Sequence, residues 1–158
     1  MQTLDELLAD HPFFVGLDRQ TLVLLAGCAT NVHFRPGDYL FHQEGPADRF
    51  FVLRRGRVQL EVASPGEAPV VLETYERNDV LGWSWLIPPY RCEADAQATE
   101  DADAIAFDGV CLRGKCDADP ALGYELLKRT AGDMHARRFA ALARLLDLYG
   151  TTRRDRTR

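Results

Sequence analysis

The sequence predicts a mainly β domain with flanking helices, built as a double-stranded β-helix (jelly roll) and closed by a long C-terminal helix. Three observations lead there. Between Thr30 and Phe107, short runs rich in Val, Phe, Leu and Tyr alternate with turn signals about every ten residues. Helical apolar spacing is confined to the two sides of that stretch. No strand is followed by the helical segment that a parallel βαβ unit requires, so the strands are expected to pair antiparallel. At 158 residues and 46% hydrophobic content, the chain suits one compact domain with its own core, placed at residues 1–150.

Each element has a local cause. Thr3 with Glu6 three residues later forms a capping box that opens a short helix to about Asp10, where His11-Pro12 ends it. Asp18 caps a second helix to about Gly27, with Leu22, Leu25 and Ala26 as its apolar stripe. The roll, residues 30–107, is punctuated at Pro36-Gly37-Asp38, Glu44-Gly45-Pro46, Arg55-Gly56-Arg57, Ser64-Pro65-Gly66 and Arg77-Asn78-Asp79. Val58, Leu60 and Val62 alternate with Gln59, Glu61 and Ala63, which predicts one buried and one wetter strand face.

Helical spacing returns from Asp108 to Cys116, and Pro120 opens a long helix expected to reach about Tyr149. At about 30 residues that helix runs roughly 45 Å, more than the domain can cover with its own surface. Leu127, Ala131, Met134, Arg138, Ala141, Leu145 and Leu148 form one stripe, and Phe139, Leu142, Leu146 and Tyr149 a second. One stripe is expected to pack on the roll and the other on the same helix of a second copy, giving a homodimer. A single wide stripe on a monomer is the alternative.

Composition excludes several function classes. A net charge of −5 and a pI near 5.3 argue against a protein that coats nucleic acid. The basic end, residues 151–158, reads as a solvated tail. No basic segment leads into an apolar export signal, and no stretch approaches the roughly 20 apolar residues of a membrane span, so a cytoplasmic location away from membranes is expected. Cys28, Cys92, Cys111 and Cys116 contain no C-x-x-C pair and are expected to be reduced, buried thiols. His11, His33, His42 and His135 are scattered; His42 and Glu44 share a strand face, but two ligands do not make a metal site. With no nucleophile and base visibly paired, an enzyme is not expected.

The segment Leu81-Gly82-Trp83-Ser84-Trp85-Leu86-Ile87-Pro88-Pro89-Tyr90-Arg91-Cys92 carries the chemistry. A glycine lets backbone approach an anion, a helix-compatible turn presents free N–H groups, and an arginine adds charge with a fork of donors. Gly82 and Arg91 follow from that chemistry, for a small anionic ligand, and Trp83, Ser84 and Cys92 of the same segment are kept with them as candidate ligand-binding residues. Trp83 and Trp85, the chain's only tryptophans, could wall the pocket or plug it. Without a ligand, Arg91 would need a carboxylate, and Glu93 and Asp95 are the nearest in sequence.

In order and spacing, His11-Pro12-Phe13-Phe14, Phe34-Arg35-Pro36-Gly37-Asp38-Tyr39-Leu40, Gln43-Glu44-Gly45, Phe51 to Val58 and Asp79-Val80-Leu81-Gly82 resemble the cyclic nucleotide-binding domain of catabolite-activator and FNR-type regulators. The resemblance runs from about Leu4 to Tyr149. It implies cAMP or cGMP as ligand, with Gly82 facing the cyclic phosphate and Arg91 neutralising it. Trp83 stands where the family usually has a glutamate that accepts from the ribose 2′-hydroxyl, and Cys92 where it has a serine or threonine on the phosphate. Indole offers no acceptor and a thiol is a weak donor. Leu142 and Ala143 fall where the catabolite activator offers hydroxyls to the base. Such regulators continue into a helix-turn-helix, whereas eight residues follow Gly150, so sequence-specific DNA binding is not expected. Two readings follow: a ligand-sensing module that signals through its C-terminal helix, or a scaffold of the same fold that binds a protein partner and no nucleotide.

Overall fold

A computed structural model describes residues 1–155, and the side chains of residues 1–150. Eight strands form two four-stranded antiparallel sheets packed as a roll, in the orders β1-β8-β3-β6 and β2-β7-β4-β5. The strands are β1 (Ala29–Phe34), β2 (Tyr39–Phe41), β3 (Arg49–Arg55), β4 (Val58–Val62), β5 (Val70–Tyr75), β6 (Val80–Leu81), β7 (Asp95–Ala98) and β8 (Ala102–Asp108). Helices α1 (Leu4–Ala9) and α2 (Arg19–Ala26) precede the roll, and α3 (Gly109–Ala118) and α4 (Pro120–Asp155) follow it. No described helix is long and apolar enough to cross a membrane.

Local chemistry sets the helix starts. The Thr3 N–H donates to Glu6 Oε2 at 2.9 Å, Asp18 Oδ1 accepts from the Thr21 N–H at 2.7 Å, and Asp108 Oδ1 accepts from the Cys111 N–H at 2.9 Å. α4 extends past the expected Tyr149 to Asp155, so the backbone of the first part of the expected tail is helical. The tail's side chains, and residues 156–158 altogether, lie outside the described residues.

The run Phe50-Phe51-Val52-Leu53 in β3 is apolar at every position because both of its faces are covered. Phe50 and Val52 join a core with Leu8, Phe14, Leu22, Leu25, Trp85, Phe107, Leu112, Leu122 and Leu126, beneath the helices. Phe51 and Leu53 point the other way, into a second core inside the roll with Leu40, Val58, Tyr75 and Leu81. There Ala96, Ala98, Ala102, Ala104 and Ala106 leave room for the larger residues opposite.

Three expectations are corrected. The alternation in β4 breaks: Val58 is buried, Leu60 and Val62 are half-buried, and Glu61 is buried. Leu60 pairs with Glu73 and Glu61 with Val71, so Leu72 of β5 is an extra residue, and this bulge re-aims the side chains beyond it. Cys28 and Cys111 are joined in a disulfide across 83 residues, while Cys92 and Cys116 are buried thiols as expected. The β1–β8 register opposes Ala29 to Phe107, and the Asp108 N–H donates to the Cys28 carbonyl at 2.8 Å, which brings the two Cα atoms to 5.8 Å. On α4, the residues buried deepest against the domain are Leu122, Leu126 and Thr130, which belong to neither expected stripe.

Candidate ligand-binding site

The segment between β6 and β7 makes one compact bend. Gly82 sits at φ 90°, where an added Cβ would lie 2.9 Å from the Arg49 carbonyl oxygen, so the position favours glycine on both counts. Trp83–Trp85 then form a single 3₁₀ turn. Arg113 of α3 fastens the bend from outside: its Nη1 donates to the carbonyls of Trp85 and Ala47, and its guanidinium lies 4.2 Å from the centroid of the Tyr90 ring.

The turn splits the two tryptophans between environments. Trp85 is buried in the helix-side core, 6.0 Å from Phe50 ring to ring, and does not face the pocket as expected. Residues two apart on a tight turn point in different directions, so adjacency in sequence did not mean a shared pocket. Trp83, with Gly82, Ser84 and Cys92, lines a cavity of about 90 Å³ inside the roll, together with Phe41, Tyr75 and Glu93. Trp83 also walls a larger groove of about 620 Å³ between the roll and α4, whose lining includes Leu72, Glu73, Met134, His135, Arg137 and Arg138.

Four of the five candidate residues therefore meet at one cavity, and Arg91 does not line it. Its Nη1 donates to the Glu44 carbonyl at 3.0 Å on the exposed rim. Neither expected carboxylate pairs with it: Asp95 accepts from the Gln43 N–H at 2.7 Å and lies 3.5 Å from His42, and Glu93 faces the cavity. The Cys92 thiol points toward the Pro46 carbonyl at 3.7 Å, and burial, then the charge of Asp48, pushes its pKa up, which keeps it neutral. Leu142 and Ala143, expected opposite a base, are exposed and do not line the groove. The helix residues that do line the groove include Met134, His135, Arg138 and Ala141.

A cluster that the sequence analysis did not single out joins α4 to this site. Arg137 donates to Glu73 of β5 at 2.9 Å, to Asp79 before β6 at 3.1 Å, and to Asp133 one turn earlier at 3.1 Å. Its guanidinium lies 4.3 Å from the centroid of Tyr75 and 5.9 Å from that of Trp83. The Tyr75 hydroxyl donates to the other Glu73 oxygen at 3.1 Å. Burial opposes the charge on Arg137, but the Glu73 hydrogen bond and the Asp133 charge more than reverse that, and its pKa is raised. Burial likewise pushes Tyr75 up, as does the neighbouring Glu73 charge. The Trp83 indole N–H is buried beside the Asp133 carboxylate without closing a hydrogen bond of normal length. The i,i+4 spacing of Asp133 and Arg137 was the one legible trace of this cluster. Among the described residues, no group of three or more His, Cys, Asp or Glu is placed to hold a metal ion.

Known proteins are similar to this chain in sequence and in fold. A CRP-like cAMP-activated global transcriptional regulator of Mycobacterium tuberculosis is 23% identical over 125 residues, which are 79% of this chain and 56% of the regulator. The chain thus spans about half the length of that curated relative. A Geobacter metallireducens crystal structure described as a cyclic nucleotide-binding protein superposes with a TM-score of 0.78 at 26% identity, over 87% of this chain and 98% of that one. The regulatory domain of Toxoplasma gondii PKA, crystallised with cAMP, shares the fold with a TM-score of 0.66 at 19% identity, over 82% of this chain and 49% of that one. Residues 31–119, more than half of the chain and a span that takes in most of the roll, the glycine bend and α3, match the cyclic nucleotide-binding domain family, and to that family the chain belongs.

Proposed function

We propose that this chain is a regulatory ligand-sensing module. It takes up a small phosphorylated anion, a cyclic nucleotide such as cAMP or cGMP being the first candidate, where the cavity and the groove meet at Trp83, and passes occupancy on through α4. The observation that carries this reading is the position of Trp83: one side chain walls both chambers and lies under the Arg137 guanidinium of α4. A ligand that moves the indole must disturb the contact between roll and helix. Arg91 supports the same reading, since its hydrogen bond to a backbone carbonyl leaves the charge unmatched by any carboxylate among the described residues, free to turn toward an anion at the Gly82 bend. The relatives whose names include cAMP support trying nucleotides first.

Titration of the Trp85→Phe variant, in which Trp83 is the one remaining tryptophan and is excited selectively, with cAMP, cGMP and other phosphorylated metabolites tests this. A saturable change is expected, and Arg91→Ala should weaken it about ten- to a hundredfold, the worth of a charge-assisted hydrogen bond. Binding that Arg91→Ala leaves untouched would refute the phosphate contact. No response to any phosphorylated compound would favour the scaffold reading, for which the small aromatic-walled cavity speaks.

The output surface proposed is α4 itself. Phe139, Leu142, Leu145 and Leu146 are between 45% and 72% exposed, an apolar face that a second copy of the helix would cover. Sedimentation is expected to show a dimer for the native chain and a monomer for Leu145→Asp. A variant that sediments like the native chain would remove this seam from consideration.

A further inference from the structure

A second polar cleft, of about 530 Å³, lies between α1 and the turn joining β5 to β6, and it shares no residue with the cavity or the groove at Trp83. Arg54 and Arg55 from the end of β3 line it, with Arg77 and Asn78 from the turn and Asp10 and His11 from the end of α1. Arg55 is committed: it donates to Asp103 at 2.7 Å, and Asp103 also meets His33 at 2.7 Å. Arg54 has only a long contact of 3.4 Å to Asn31, and Arg77 makes no hydrogen bond or ion pair among the described residues. The lining carries three guanidinium groups against two carboxylates, Asp10 and Asp103, so the cleft keeps an excess of positive charge.

Its lining includes a buried histidine whose donor closes no hydrogen bond of normal geometry. His11 is 7% exposed, and its Nδ1 accepts from the Phe13 N–H at 3.2 Å, so the neutral ring carries its hydrogen on Nε2. That atom is buried and closes no hydrogen bond of normal geometry, although the Asn78 backbone is close enough to act on the ring and Asp79 adds its charge. A buried donor left unmade is costly, and native structures give such groups a partner. Burial is also the main force on the imidazole, pulling its pKa down. Two free forks of donors above a buried N–H suit the tetrahedral oxygens of a phosphate, which accepts from several directions at once.

We infer that the cleft between α1 and the β5–β6 turn is a second anion site, built for the phosphate group of a small phosphorylated metabolite, with Arg54 and Arg77 gripping the oxygens and the His11 imidazole beneath. The turn that closes it continues into Asp79, the carboxylate that holds Arg137 of α4 at 3.1 Å.

The test is an NMR titration of the His11 imidazole in the full chain with inorganic phosphate, alongside sodium chloride and succinate at matched ionic strength. A saturable shift with phosphate is expected, with the imidazole pKa rising because an anion favours the protonated ring. Arg54→Ala with Arg77→Ala, both exposed positions, should weaken that binding at least about tenfold, while Arg91→Ala should leave it unchanged. The site is overturned by the absence of a saturable shift up to about 10 mM phosphate, ten times the dissociation constant of a millimolar site. It is equally overturned by an undiminished shift in the double variant, by an equal response to chloride or succinate, or by loss of the response in Arg91→Ala. Because the two sites share no residue, failure here and failure of the Trp83 titration are separate results.

Discussion

Gly56→Ala is expected to destabilise the domain by about 3 kcal/mol or more, the sum of left-handed backbone strain and overpacking against main chain. Gly56 turns β3 into β4 at φ 85°, and an added Cβ would lie 2.3 Å from the Asp101 carbonyl oxygen and 2.6 Å from the Ala102 Cα. Neither contact is the end of a flexible side chain. Relief requires the β3–β4 hairpin to move away from the β7–β8 turn, and that movement would drag Val58 and Ala102, both fully buried, out of the inner core. Gly66→Ala separates the two contributions. Gly66 has φ 77° and nothing within 4 Å of its would-be Cβ, so only the conformational part, about 1 kcal/mol, applies there. Urea unfolding followed by circular dichroism should show the Gly56 variant far below the Gly66 variant. Equal midpoints would mean that the hairpin is not wedged against that turn.

That glycine also shows what the sequence makes legible. Arg55-Gly56-Arg57 reads as a turn because a turn's backbone demand falls on one residue, but the partner that makes Gly56 irreplaceable is 45 positions away in sequence. The caps at Thr3 and Asp18 were readable for the same reason: each is decided within three residues. The roll was readable because turn signals and apolar runs repeat along it. What failed was decided across strands. The wrong face of Glu61 came from a bulge in β5, and the Cys28–Cys111 pair from the meeting of β1 with β8. Within the candidate site, Gly82, Trp83, Ser84 and Cys92 come together because one bend carries them. The carboxylates nearest Arg91 in sequence were poor guides, since Asp95 on β7 reaches across to Gln43 on another segment.

The Arg137 cluster was the largest omission, and its removal carries the second large effect. Arg137→Ala leaves Glu73, Asp79 and Asp133 facing one another without their cation and uncovers the Tyr75 ring. Breaking a buried ion pair commonly costs 3–5 kcal/mol; with the Arg137 side chain 15% exposed and its partners 19–36% exposed, about 2–3 kcal/mol is expected after solvent screening. The pH dependence identifies the cause. Burial holds the Asp133 carboxyl above its ordinary range even with Arg137 beside it, so without the guanidinium its folded-state pKa rises further. A carboxyl whose pKa is raised by folding takes up its proton more readily in the native state, so its penalty is absent below the unfolded value and grows as pH rises through the folded one. The deficit of Arg137→Ala should therefore be smaller near pH 4 than near pH 7, with the change falling in the window above the unfolded aspartate value of about 3.9. A deficit independent of pH would assign the loss to packing on Tyr75 alone. In the native chain the same clamp fixes α4 over Trp83, so the Trp83 indole in Arg137→Ala should become more accessible to acrylamide quenching while Trp85, held in the helix-side core, stays protected.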